Sequence, residues 1–329
     1  MSDQTKKNPL IKQGWLRVLL FGCGFIIITL LVAIPAVLLI AGIRKEDLET
    51  NFFGTMAAQL TGNFLWLMLL LECVIALLSV WIFRVFIDRK SISSLGFDTE
   101  GYQAERLTGL FLGPALLGTS ALLLLFSGHL QWTDIIFNGQ SLMISLGMMV
   151  LIAFSEELVF RGYILGNLLE TSFIGKGPYG SPAAGNSQGA NKWIALAISA
   201  LLFAAFHLTN PGMDSVAFAN IFLAGILLGI NYIYTRNLWY SLLLHLSWNF
   251  FQGPVLGFRV SGLNLSSLLQ AETKGDSLLT GGEFGLEGSI LNTAVSITAI
   301  LILAWAFERK YTGQGRTEPD NAASQTSNA

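Results

Sequence analysis

The chain has 329 residues, 53% of them hydrophobic and only 12% charged, with a mean hydropathy of +0.59. Soluble domains carry about 25% charged residues, so this composition sets aside a water-soluble globular protein in favour of one that crosses a bilayer several times. The net charge of −2 brings no basic stripe for nucleic acid, and the two cysteines, Cys23 and Cys73, both fall in apolar runs, as small core residues rather than a disulfide or metal site.

In chain order, residues 1–14 form a polar tail with Lys6, Lys7 and Lys12. The apolar run of residues 16–43 is too long for a signal-peptide core and reads as a retained span, kinked at Pro35. Further spans are expected at 60–86, 107–126, 142–169, 193–208, 215–234, 238–256 and 289–307. A polar connector, Asp88 to Arg106, follows the second span. Thr171–Asn191, rich in Gly, Pro, Ser and Asn, is a flexible loop. Gly257–Gly288 is a long connector with no continuous span. Residues 311–329 read as a disordered tail, leaving one transmembrane domain, 15–310, with its motif-bearing core at 142–256.

The fold class is therefore all-α: a polytopic membrane bundle of about eight helices with both termini on one side. Cationic side chains test the arrangement, because cytoplasmic loops hold an excess of Lys and Arg. With the N-terminus inside, fourteen of the 19 fall on inner segments. Four fall outside (Arg44, Lys45, Arg259 and Lys274), and Arg161 lies within a span. Cytoplasmic termini of a multi-pass protein of the cell membrane follow as the expectation.

Within the fourth span lies Phe154-Ser155-Glu156-Glu157-Leu158-Val159-Phe160-Arg161-Gly162. A charge near the bilayer centre costs roughly 2.5–3.5 kcal/mol on insertion scales, so three need a reason. Glu157 and Arg161 are four residues apart on one helix face, in the better orientation for an ion pair. This pair either fixes helix packing or meets substrate. Glu156 lies about 100° further round, without a partner in its own helix, and is the carboxylate free for chemistry. Two of the three histidines also fall in spans: His207 shares a face with Phe203, and His245 with Asn249. At about 1.5 Å per residue these groups can meet in the inner half of the membrane.

Such a cluster supports hydrolysis. A carboxylate withdrawn from water holds a proton more readily, which suits a general base. Glu156 would deprotonate a water held also by His207, while His245 and the Asn249 amide donate to the oxyanion of a tetrahedral intermediate. Phe203 shapes the pocket. The chain has no HExxH pair and no cysteine beside either histidine.

The order EE-x-x-x-R, F-x-x-x-H, H-x-x-x-N on separate spans, carried by Glu156, Glu157, Arg161, Phe203, His207, His245 and Asn249, resembles the CPBP family of CAAX-prenyl-protease-like and bacteriocin-processing (Abi) intramembrane proteases. Phe222-x-x-Gly225-x-x-x-Gly229, with Thr235 and Leu242, extends it over about residues 142–256. The resemblance implies an eight-helix integral membrane endopeptidase, with the first glutamate and first histidine activating water and the second histidine and the asparagine at the oxyanion. Members are often labelled metalloproteases. Glu156, His207 and His245 would be the ligands of a His₂Glu zinc site. A metal-free reading is preferred because Asn249 is a poor zinc ligand and a good amide donor.

The expected partners are the lipid bilayer and a hydrophobic, lipidated or plain, peptide or membrane-protein substrate entering from the cytoplasmic leaflet, with Thr171–Asn191 gating access. An ion-coupled transporter, or a non-catalytic immunity or scaffold protein, are the competing readings. Gly225 and Gly229 are expected to permit close helix contact. Trp66, Trp239 and Trp248 read as interface or core aromatics, and Glu72 in the second span has no assigned role.

Overall fold

In the computed structural model, residues 8–40, 63–175 and 188–313 are described. Eight long helices follow one another: α1 (Gly14–Ile40), α2 (Asn63–Ile82), α3 (Gln103–Phe126), α4 (Gly139–Glu157), α5 (Gln188–Phe206), α6 (Ser215–Gly229), α7 (Trp239–Phe250) and α8 (Ile290–Gly313). Among the described residues, seven helical segments are long and apolar enough to cross a bilayer: Gly14–Ala36, Leu65–Ile87, Gln103–Phe126, Gly139–Leu168, Gly189–Phe206, Ser215–Thr235 and Ile290–Tyr311. The expected polytopic helical bundle is thus what the chain forms.

The expected count of eight meets a shortfall at α7. With its continuation Phe251–Val255 it runs from 239 to 255, about 26 Å at 1.5 Å per residue against a hydrocarbon core of about 30 Å. Packing explains why such a helix is tolerated. α7 lies against α3, α4 and α6, and Tyr240, Ser241, Leu244, His245, Trp248 and Asn249 are all buried. Neighbouring helices, rather than lipid, surround most of its length.

Small residues bring the helices close. A Cβ at Gly109 would lie 2.4 Å from the Tyr240 carbonyl oxygen, and one at Gly113 2.8 Å from the Trp248 nitrogen, so α3 and α7 touch backbone to backbone. Gly225 of α6 does the same against Ala200 of α5, at 2.8 Å from its Cα, and Gly229 would meet the Leu196 side chain. Close helix contact at Gly225 and Gly229 is therefore seen as expected.

Three helices widen at their ends. α2 continues as a π-helical turn over Phe83–Ile87, α4 over Leu158–Leu165 and α7 over Phe251–Val255. The wider turn disturbs the usual i−4 pattern, and its carbonyls find side-chain partners elsewhere. Ser199 Oγ donates to the Phe160 carbonyl at 3.0 Å, and just past the wider turn Arg236 Nη1 donates to the Gly166 carbonyl at 3.1 Å. The widening begins just after Glu156 and Glu157 in α4, where it takes in Arg161, and just after Asn249 in α7, a placement common at functional sites.

One departure from an all-helical chain lies in the connectors. Leu130–Ile135 (β1) pairs antiparallel with Leu269–Thr273 (β2), with Trp132 opposite Ala271. The second strand comes from the connector Gly257–Gly288, which is thereby tied to the α3–α4 connection. At the C-terminus, α8 runs past Lys310 to Gly313. Its Tyr311 stacks on Tyr234 with ring centres 5.6 Å apart and its hydroxyl donates to Glu105, so residues 311–313 are part of the bundle rather than of a loose tail. Residues 1–7 and 314–329 lie outside the described residues.

Candidate active site

Glu156 and Glu157 close α4, at the point where it widens. Glu157 is fully buried and accepts from Arg161 Nη1 at 2.8 Å, the i,i+4 pair expected of the spacing. The same carboxylate oxygen lies 2.8 Å from His245 Nδ1 on α7. Arg161 extends the network: Nη2 donates to the Gly225 carbonyl at 3.2 Å, and the guanidinium carbon sits 4.4 Å from the centre of the Phe203 ring. Of the two readings open for Glu157 and Arg161, the contacts fit the structural ion pair, and that pair also holds a histidine.

Phe203 is the hub of this packing. Its ring meets Phe160 edge-on at 5.1 Å, His207 at 4.6 Å and His245 at 6.2 Å. Its carbonyl lies 2.8 Å from His207 Nδ1. A carbonyl only accepts, so Nδ1 of His207 carries a proton. The same reasoning puts a proton on Nδ1 of His245, which faces a carboxylate. Both imidazoles are thus fixed through Nδ1, and both turn Nε2 towards Glu156.

The resulting geometry is compact. Glu156 Oε2 is 3.8 Å from His207 Nε2 and 3.9 Å from His245 Nε2. These separations exceed a direct hydrogen bond and leave room for one small molecule touching all three atoms. Glu156 Oε2 is buried with no hydrogen-bond partner among the described residues, although its residue is only 8% exposed. A buried carboxylate oxygen without a donor is costly, and a bound water would relieve that cost. Asn249, one turn beyond His245, lines the same space.

That space is a cavity of about 540 Å³. Glu156, Phe203, His207, His245 and Asn249 all line it, so every sequence-derived candidate except Glu157 and Arg161 faces it, and those two stand behind His245. Glu156, His207 and His245 are the side chains that would hold a zinc ion, which would polarise the attacking water there.

The structure adds wall residues that helical spacing does not reveal. Glu72 of α2 lines the cavity, within electrostatic reach of Glu156 and His207. A charge inside an apolar span was the signal for it. Ser261 and Glu287 come from the connector Gly257–Gly288. Glu287 accepts from Trp248 Nε1 at 3.0 Å and from Ser261 nitrogen and Oγ at 2.7 and 2.9 Å, which ties the connector to α7 beside the site. Trp248 is thus a cavity wall as well as a core aromatic.

The cavity extends from Glu156 towards Asn210, Ser261 and Leu263, at the end of the bundle where the α5–α6 turn and the Gly257–Gly288 connector lie. The described parts of Thr171–Asn191 belong to the other end, where Asn191 accepts from the Phe173 and Ile174 nitrogens. The gating expected of Thr171–Asn191 rests largely on residues 176–187, which lie outside the described residues.

Residues 138–251 match the family model described as type II CAAX prenyl endopeptidase Rce1-like. The matched stretch begins at the Asn138 cap of α4 and ends just past Asn249, so it takes in all seven motif residues. No curated protein and no solved structure matches the chain.

Proposed function

We propose that this chain, whose residues 138–251 match the Rce1-like family model, is a membrane protease of the CPBP kind that hydrolyses a peptide bond of an apolar peptide inside the bilayer. The observation that carries the reading is the pair of Nε2 atoms 3.8 and 3.9 Å from the unpartnered Glu156 Oε2.

A water bridging these three atoms donates to Glu156 and to His207 Nε2, which is free to accept because Nδ1 holds its proton against the Phe203 carbonyl. Glu156 takes the proton as the water oxygen attacks the peptide carbonyl. The oxyanion that forms needs donors. Asn249 supplies its amide. His245 donates from Nε2 as an imidazolium, its second proton balanced by the Glu157 carboxylate. The proton on Glu156 then passes to the leaving nitrogen, the C–N bond breaks, and an acid and an amine remain.

Apolar walls at Phe25, Ile152, Leu228 and Leu244 suit a hydrophobic chain, lipidated or plain. The deciding experiment is Glu156→Gln in purified, folded protein. Turnover of a hydrophobic peptide is expected to fall by about 10²–10⁴-fold, the range of a general base, with little change in Tm. Activity within a few-fold of wild type would overturn the reading. Asn249→Ala is expected to lower kcat by about 10²–10³-fold, as for other oxyanion donors.

A further inference from the structure

The two ends of the bundle differ in charge. Among the described residues, Arg17, Arg84, Lys90, Lys192, Arg236 and Lys310 belong to one end and are built into it. Arg17 and Lys90 both pair with Glu170, Lys192 with Glu308, and Lys310 with Glu105, while Arg236 reaches the Gly166 carbonyl. The other end, with the two strands and the Gly257–Gly288 connector, carries Arg259 and Lys274 among the described residues, and Arg44 and Lys45 lie outside them.

The cavity shares this asymmetry. Beyond the catalytic side chains its walls include the later part of α1 (Thr29, Ala33), the earlier part of α2 (Met68, Glu72), and the α5–α6 turn at Asn210 with Ser261 beyond α7, while Leu227 and Leu228 of α6 close its inner end. The walls from α1, α2, the α5–α6 turn and the connector lie towards the cation-poor end. No Lys or Arg lines it, whereas Glu72 and Glu287 do. A membrane protein keeps its Lys- and Arg-rich end in the cytoplasm. Turning this bundle over would move its fixed cationic anchors outward.

We infer that the catalytic cavity opens to the non-cytoplasmic side, so that the substrate is an apolar, non-acidic peptide segment presented from the outer leaflet or the space beyond it. This deepens the protease reading and rests on it. It replaces the expected entry from the cytoplasmic leaflet, and it makes the connector Gly257–Gly288, rather than Thr171–Asn191, the segment that borders the entrance.

The test has two arms on the full chain in cells with Cys23 and Cys73 replaced by Ser. In the first, Asn264→Cys and Glu100→Cys, both exposed and at opposite ends, are treated with a membrane-impermeant maleimide. Labelling of Asn264→Cys in intact cells, with loss of Glu100→Cys labelling until the cells are opened, supports the inference. The reverse pattern overturns it. In the second, right-side-out vesicles receive a membrane-impermeant apolar peptide. Cleavage before permeabilisation, absent in Glu156→Gln vesicles, supports the inference. Cleavage that appears only after permeabilisation, and is again absent in Glu156→Gln, overturns it while leaving the protease reading intact. Equal cleavage by wild type and Glu156→Gln would instead remove the protease reading, and with it the substrate proposed here.

Discussion

At the scale of single residues, adjacent glutamates carry different tasks because one helical step separates their surroundings. Glu157 is enclosed by Arg161 and His245 and has no access to the cavity, while Glu156 faces it. Removing one partner of a buried ion pair leaves the other charge unpaired, which costs about 3–5 kcal/mol. Glu157→Gln is therefore expected to lower Tm and activity together, since it strands Arg161 and loosens His245. A paired Glu157→Leu, Arg161→Met variant is expected to regain much of the Tm without regaining turnover. Thermal melting and peptide cleavage on the same preparations would check both, and a variant with full activity would show that His245 does not need its anchor. The spacing alone revealed the ion pair; the hydrogen bond to His245 joins residues 88 positions apart and had no local signal.

At the scale of elements, the site depends on how near the helices come. The α5–α6 contact holds the Gly225 carbonyl where Arg161 can reach it, and the α3–α7 contact supports the helix that carries His245 and Asn249. Overpacking a tight contact costs about 1–3 kcal/mol and shifts backbone. Gly109→Leu, whose Cβ would lie 2.4 Å from the Tyr240 carbonyl oxygen, is expected to lower Tm and to reduce kcat through α7. An unchanged melting curve would argue against the close α3–α7 approach. The long apolar runs made most helices legible in sequence. The length of α7 and the strand pair were not, because a helix shielded by its neighbours need not be long or uniformly apolar, and the two strands are separated by more than 130 residues.

At the scale of the whole molecule, the end opposite the cavity is tied together by buried charge. Arg17 of α1, Arg84 beyond α2, and Tyr163 and Asn167 beyond α4 all surround Asp88, which is fully buried. Glu170 joins this knot at the surface. Burial pushes its carboxyl up, but Lys90 and Arg17 outweigh burial and hold it below its ordinary value of 4.5. A depressed carboxylate stabilises the fold fully above that value and loses its contribution as pH falls through the lower folded value. Tm is therefore expected to drop on acidification below about pH 4.5, and to drop less in Glu170→Gln. Equal acid sensitivity of the two proteins would assign that loss to other groups. Sidedness also belongs to this scale, since it needs both the distribution of cations along the chain and the position of the cavity along the bundle.

The amino-acid sequence by itself determined that the chain forms a membrane helix bundle and that Glu156, His245 and Asn249 lie on helices, because hydropathy and helical spacing are local properties; His207, expected within the fifth span, falls in the turn just past α5. Only the tertiary structure decided that Glu157 serves His245, that Glu72 and Glu287 face the cavity, and which end of the bundle that cavity meets. Those outcomes depend on how separate helices rotate and approach one another, which short-range spacing does not encode.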